Sequence, residues 1–253
     1  MKQRLQYLEA MGIQAWQSKR TVAPVRAQAE AVAPVEHAPE MPLPEPTPPE
    51  PAVSTAAAPP ARPDVSGMDW EALQACVSEC RLCELHESRT QTVFGVGDRC
   101  ADWLIIGEAP GKDEDLQGEP FVGRAGQLLN AMLLAAGLKR EQVYIANILK
   151  CRPPNNRDPG PQEVACCEPY LARQIALIQP RMILAVGRIA AQNLLKTETP
   201  IGKLRGTVHR YAETGIPVVA TYHPAYLLRS PLDKRKAWAD LQLAMAIAAG
   251  DMP

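Results

Sequence analysis

The residues best able to do chemistry in this 253-residue sequence fall in four short stretches, each at or just after the end of an apolar run. Gly107-Glu108-Ala109-Pro110-Gly111 leads into KDEDLQGEPF. Asn147 comes just before Lys150-Cys151-Arg152-Pro153-Pro154, Gly187-Arg188 follows MILAV, and His223 opens HPAYLLR. Together they offer a carboxylate, a side-chain amide, an imidazole, an aromatic in Phe121, and glycines that permit close backbone approach. That set suits a planar, hydrogen-bonding ring. Asn147 can donate to a ring carbonyl and accept from the adjacent ring N–H while Phe121 stacks on the face. His223 can donate to an oxygen that turns negative as a bond breaks. Glu108 can orient water or stabilise a developing cation on a sugar. Each has a plainer reading as well: His223 as a turn residue before proline, Asn147 as a loop partner, Phe121 as core, Glu108 as a cap. Convergence of all four on one rim favours the chemical reading.

The seven cysteines form a second constellation. Cys80-x2-Cys83 sits on a helical stretch, where positions i and i+3 share a face. Cys151 and Cys167 lie far downstream. A CxxC with two dispersed partners suits a four-cysteine zinc site or a [4Fe–4S] cluster, and spacing does not choose between them. Cys76-x3-Cys80-x2-Cys83 also has radical-SAM spacing. It lacks the preceding strand and any following SAM-binding pattern, so that reading is set aside. Cys76, Cys100 and Cys166 read as ordinary small residues.

The elements that must position these groups follow from periodicity. Apolar runs at 103–106, 143–149, 182–186 and 217–221 read as buried parallel strands. Helical patterns occupy 124–136, 162–179, 188–195 and 234–248, with Gly137 and Pro180 as stops. A short strand at 206–211 leads into the fourth run. The alternation predicts a three-layer α/β/α domain with a central, mostly parallel four-stranded sheet. In such sheets ligands bind beyond the carboxyl ends of the strands, where the chemistry-bearing residues lie.

Composition limits the folded part. Of 25 prolines, 12 fall between Pro24 and Pro63, in a stretch with almost no large apolar residue. Such a segment cannot bury enough surface to offset chain entropy. The expected organisation is an amphipathic peptide at 1–20, a disordered linker at 21–66 and one domain from 67 to 253. A net charge of −1 excludes a global field for nucleic acid or anionic membrane, so any DNA contact must be local. No 18-residue apolar run or secretory signal is readable, and a cytoplasmic monomer is expected.

CRLC, TVFGVG, GEAPG, GEPFVGRAGQLLN, YIANILKCRPPNNRDPGPQEVACC and YHPAYLLR, in this order and spacing, resemble the family 4 uracil-DNA glycosylases across residues 80–248. The resemblance implies the uracil-DNA glycosylase fold and a [4Fe–4S] cluster on Cys80, Cys83, Cys151 and Cys167. It implies that Glu108 and the GEAPG backbone, with Gly107 and Ala109, line a uracil pocket, that Phe121 stacks and Asn147 reads the polar edge, and that His223 assists departure of the uracil anion. Glu114 is a second candidate for water activation. The basic insertion of covalent-trapping relatives is missing from KDEDLQGEPF, so turnover is expected. Ala225 stands where many relatives have Ser.

The activity implied is hydrolysis of the N-glycosidic bond of deoxyuridine in DNA; a non-catalytic uracil- or DNA-binding accessory protein is the alternative. A stacked base cannot be attacked, so the nucleotide must be flipped out at a cost of roughly a few kcal/mol. Leu227 and Leu228 are expected to supply a wedge. Phosphate contacts are expected from Arg152, Arg157, Arg205 and Arg229. Residues 1–20, with RLQYLEAMGIQAWQSKR, resemble the N-terminal peptide of the psi subunit of bacterial replicative polymerase, which implies a clamp-loader partner.

Overall fold

The computed structural model describes residues 62–212 and 214–250; the peptide at 1–20 and nearly all of the Pro-rich linker lie outside the described residues. The sheet has six strands: β1 (Val96–Gly97), β2 (Trp103–Gly107), β3 (Tyr144–Asn147), β4 (Met182–Val186), β5 (Val208–Arg210) and β6 (Pro217–Thr221). The order is β1-β3-β2-β4-β6-β5. The four apolar runs form the parallel centre. The expected four-stranded sheet is thereby corrected to a mixed six-stranded one. β1 and β5 pair antiparallel at the two edges. β1 spans two residues between glycines, too short for a period-2 pattern to register.

The helices are α1 (Trp70–Ser78), α2 (Leu85–Ser88), α3 (Lys112–Gln117), α4 (Arg124–Ala135), α5 (Pro161–Ile178), α6 (Arg188–Leu195), α7 (Ile201–Leu204), α8 (Pro224–Arg229) and α9 (Lys234–Ala249). Three layers result because strand side chains alternate between faces. Leu104, Ile106, Ile183 and Ala185 join a core with Trp70 and Leu73 of α1, Leu171 and Ile175 of α5 and Leu194 of α6. Trp103, Ile105, Met182 and Leu184 join another with Leu129 and Leu133 of α4 and Leu241 of α9. Both faces being covered, the strands read as unbroken apolar runs.

Local chemistry sets the helix ends. Asp69 accepts from Ala72 N at 2.9 Å to start α1. Pro161 opens α5 while Glu163 accepts from Gly160 N at 2.7 Å. Gly137, at φ +80°, follows α4 as expected. Val65 is already buried in the first core, so packing begins two residues ahead of the expected boundary.

Candidate active site

A cavity of about 500 Å³ opens at the carboxyl edge of the parallel strands. Glu108, Ala109, Glu114, Phe121, Asn147, Arg157, His223 and Arg229 all line it, uniting three of the four stretches; Gly187-Arg188 is not part of the lining. Gly107 lies beneath. A Cβ there would meet Asn147 Oδ1 at 2.5 Å and the Phe121 ring at 2.6 Å, so only glycine admits this approach.

Asn147 ends β3. It is 2% exposed, and its Oδ1 has no hydrogen-bond partner among the described residues. A buried acceptor without a partner costs about 1–3 kcal/mol, which a ligand N–H facing it would offset. Phe121 holds a left-handed backbone, φ +55°, rare for a bulky residue. Its ring stacks on that of His223, with centroids 5.6 Å apart and planes at 29°.

The two carboxylates differ sharply. Glu114 accepts from Gly111 N at 3.1 Å, Val122 N at 3.0 Å and Gly123 N at 3.2 Å. These bonds hold the loop that carries Phe121. Glu114, the second candidate for water activation, thus also organises that loop. Glu108 stands apart from such bonds. Burial, and secondarily the nearby Asp158 carboxylate, push its carboxyl up to about 7, while Arg188 pulls the other way.

His223 caps α8. Its Nδ1 accepts from Ala225 N at 3.1 Å, which leaves the ring proton on Nε2. Burial pushes the imidazole down to about 4, with the Arg229 charge adding to it. The ring is therefore a neutral donor at ordinary pH.

α8 also revises the wedge. The segment is a helix, and its period turns Leu227 wholly into the core while Leu228 stays exposed. Leu227 is thus a packing residue. Arg205 is likewise corrected from phosphate contact to buried strut. Its guanidinium bonds both oxygens of Asp240, at 3.0 and 2.9 Å, and lies over the Tyr222 ring. Asp240 is fully buried and also accepts from Thr221 Oγ1 at 2.9 Å. Arg157 pairs with Glu163 and Arg152 with Asn156 Oδ1. Arg229 is exposed at the mouth. Asn156 lines the cavity without having been foreseen, and Tyr226, expected only in the wedge segment, lines it too. Asn156 betrays itself only as one of two consecutive left-handed asparagines after a proline pair.

Three of the four expected cysteines gather behind the cavity, while Cys80 packs against the first core; the CxxC lies past the end of α1 at Ser78, not on a helix as expected. Cys151 and Cys167 are buried together with Leu85 and Leu149, and Cys83 and Ala109 pack against them. Burial pushes Cys83 up to about 11 and Cys167 up to about 12, and the thiols of Cys80, Cys151 and Cys166 add to the shift at Cys83. Arg89 donates to Cys151 Sγ at 2.9 Å. Cys166, expected to be an ordinary residue, donates to Leu82 O at 3.3 Å beside this nest. Among the described residues no three His, Cys, Asp or Glu side chains draw together as the shell of a single metal ion.

Fold and cavity together define a three-layer α/β protein with a pocket at the carboxyl edge of its parallel strands, lined by Asn147 and Phe121. The family model "Uracil DNA glycosylase superfamily" matches residues 94–242. Type-4 uracil-DNA glycosylases are similar to this chain. That of Archaeoglobus fulgidus is 52% identical over 161 residues, covering 61% of this chain and 81% of its own. That of Pyrobaculum aerophilum is 41% identical, covering 70% and 93%, and that of Thermotoga maritima 44%, covering 61% and 80%. The chain belongs to the uracil-DNA glycosylase superfamily, in its type-4 family.

Proposed function

We propose that this chain is a DNA-repair hydrolase that cuts the N-glycosidic bond of flipped-out deoxyuridine, releasing uracil and leaving an abasic site. The carrying observation is Asn147 Oδ1, a buried acceptor on the cavity lining without a partner among the described residues, which would accept from the N3–H of uracil. Cytosine presents an unprotonated N3 and an amino group with the opposite polarity, so the same amide rejects it. Phe121 stacks on the base. As the bond lengthens, negative charge grows on the uracil oxygen, and Nε2–H of the neutral His223 stabilises it without carrying a charge of its own into the ground state. Glu108, once ionised, stabilises the positive sugar and orients the water that adds to it.

Arg229 and Leu228 form the DNA-facing rim, Arg229 toward phosphate and Leu228 toward the vacated stack. Arg152 and Arg157 reach phosphate only by leaving the partners they hold. Cys80, Cys83, Cys151 and Cys167 would hold a [4Fe–4S] cluster. The donor set fits: buried thiols in mutual electrostatic reach, with Arg89 donating to one sulfur, are suited to thiolate ligation. When bound, the cluster supplies a cross-link between the Cys80–Cys83 segment and the turn after β3, and no part of bond cleavage. Residues 1–20 are proposed to dock a cytoplasmic, monomeric enzyme on the replicative clamp loader.

The decisive assay is uracil release from uracil-containing single- and double-stranded DNA. Abasic sites are expected. Uracil binding without abasic sites would overturn catalysis in favour of a binding module. Anaerobically purified protein should absorb at about 400 nm; colourless protein with one zinc would overturn the cluster. Deletion of residues 1–20 should abolish retention on immobilised clamp loader, and unchanged retention would remove that partner.

A further inference from the structure

Lys150 lies at the hinge between the cavity and the thiol nest, and it takes no part in the chemistry above. Its side chain is 1% exposed. Burying an ammonium is costly unless its donors are all met, and here three acceptors meet three protons. Nζ donates to the Asn147 carbonyl at 3.0 Å, to Gln174 Oε1 at 2.6 Å and to the Phe94 carbonyl at 3.4 Å. Gln174, fully buried on α5, donates from Nε2 to the same Phe94 carbonyl at 3.0 Å. The lysine thus folds back three residues onto the peptide that carries the base-reading amide.

The same turn is fixed from its other end. Ile148 N donates to Gly107 O at 3.0 Å and Leu149 N to Glu108 O at 3.1 Å, registering Asn147 against the cavity floor. The Lys150 carbonyl accepts from Val93 N at 2.8 Å, and the chain runs from Lys150 directly into Cys151 of the nest. One residue therefore holds the peptide of Asn147 with its side chain and adjoins a cysteine of the nest along the backbone.

We propose that Lys150 is a positioning residue that sets the reach of the Asn147 amide toward the base and joins that reach to the cysteine nest. A purely space-filling role would be met by methionine, of similar length and without a charge to bury. The inference rests on the reading of Asn147 as the uracil-recognising group.

The test uses the full-length holoprotein and its Lys150→Met and Gln174→Leu variants. Three quantities are measured: inhibition by free uracil, KM and kcat on single-stranded uracil DNA, and the melting temperature. Lys150→Met should raise both the uracil inhibition constant and KM about tenfold while kcat changes less than about threefold. Gln174→Leu, which removes one acceptor, should shift both in the same direction by less. If Lys150→Met does not fold, Gln174→Leu decides alone. Unchanged inhibition and KM, with any loss confined to melting temperature or kcat, would overturn the proposal. Absence of uracil inhibition in the wild type would overturn the pocket reading itself, and the role of Lys150 with it.

Discussion

The floor of the cavity and its rim are built on opposite rules. On the floor, Asn147 keeps a buried acceptor without a protein partner and Glu108 sits where burial and Asp158 oppose its ionisation. At the rim, cations are already engaged: Arg157 with Glu163, Arg188 with Asp158, Arg152 with Asn156. Unmet polar groups make a site that gains by binding a specific ring. Internally paired cations make a surface with little pull of its own on a polyanion, in keeping with a net charge of −1. Selectivity is therefore concentrated on the floor, and the rim only orients.

The floor should yield the largest effects. Asn147→Ala is expected to lower kcat/KM for uracil release by about 10³-fold or more, because a site built to hydrogen-bond a ring edge loses that edge. Its urea midpoint should hold or rise, since an unpaired buried acceptor disappears; a large drop in midpoint would mean that Asn147 serves the fold. Next comes the strut behind the rim. Arg205→Met leaves the Asp240 carboxylate buried without its ion pair and should cost about 3–5 kcal/mol in denaturant unfolding. The salt dependence of DNA binding should stay as in wild type, and a shallower slope would restore Arg205 to the phosphate contacts.

A pH effect separates the two carboxylates. Glu108 ionises at about 7 in the fold against 4.5 for an ordinary glutamate, so uracil release should climb as pH passes about 7. Glu108→Gln should abolish that limb along with most activity. Because the fold favours the protonated form, the stability linked to this group is fully present below about 4.5 and is lost as pH rises through about 7. Unfolding midpoints of wild type and Glu108→Gln across that window check the sign. The smallest effect is on the rim: Arg229→Ala should reduce the slope of log affinity against log salt by about 1, with the melting temperature unchanged. An unaltered slope would leave the rim with no phosphate contact at Arg229.

The same contrast explains what could be read from the sequence. Floor residues were legible because each directly ends or follows an apolar strand, so strand placement placed them too. The helices at 188–195 and 124–135 were equally legible, through their period and stops. Arg205 was not, because its partner Asp240 is 35 residues away on α9 and nothing local distinguishes an arginine facing solvent from one facing a buried acid. Leu227 and Leu228 looked equivalent until α8 gave them a helical phase. The part Glu114 plays in holding the Phe121 loop was hidden because its donors are backbone groups, which sequence does not display. β1 was missed at its edge, where two residues suffice to pair, whereas β5 falls within the short strand expected at 206–211.

Gly107 carries a consequence for how such a pocket can change. The floor lies one missing methyl below the point where Asn147 and Phe121 meet. Any other residue there would lift the floor into the base, and none could lower it. The depth of the chamber is thus a limit reached from one side only. New base preferences can arise at Asn147 or Phe121, while position 107 has a single direction of drift, toward closure.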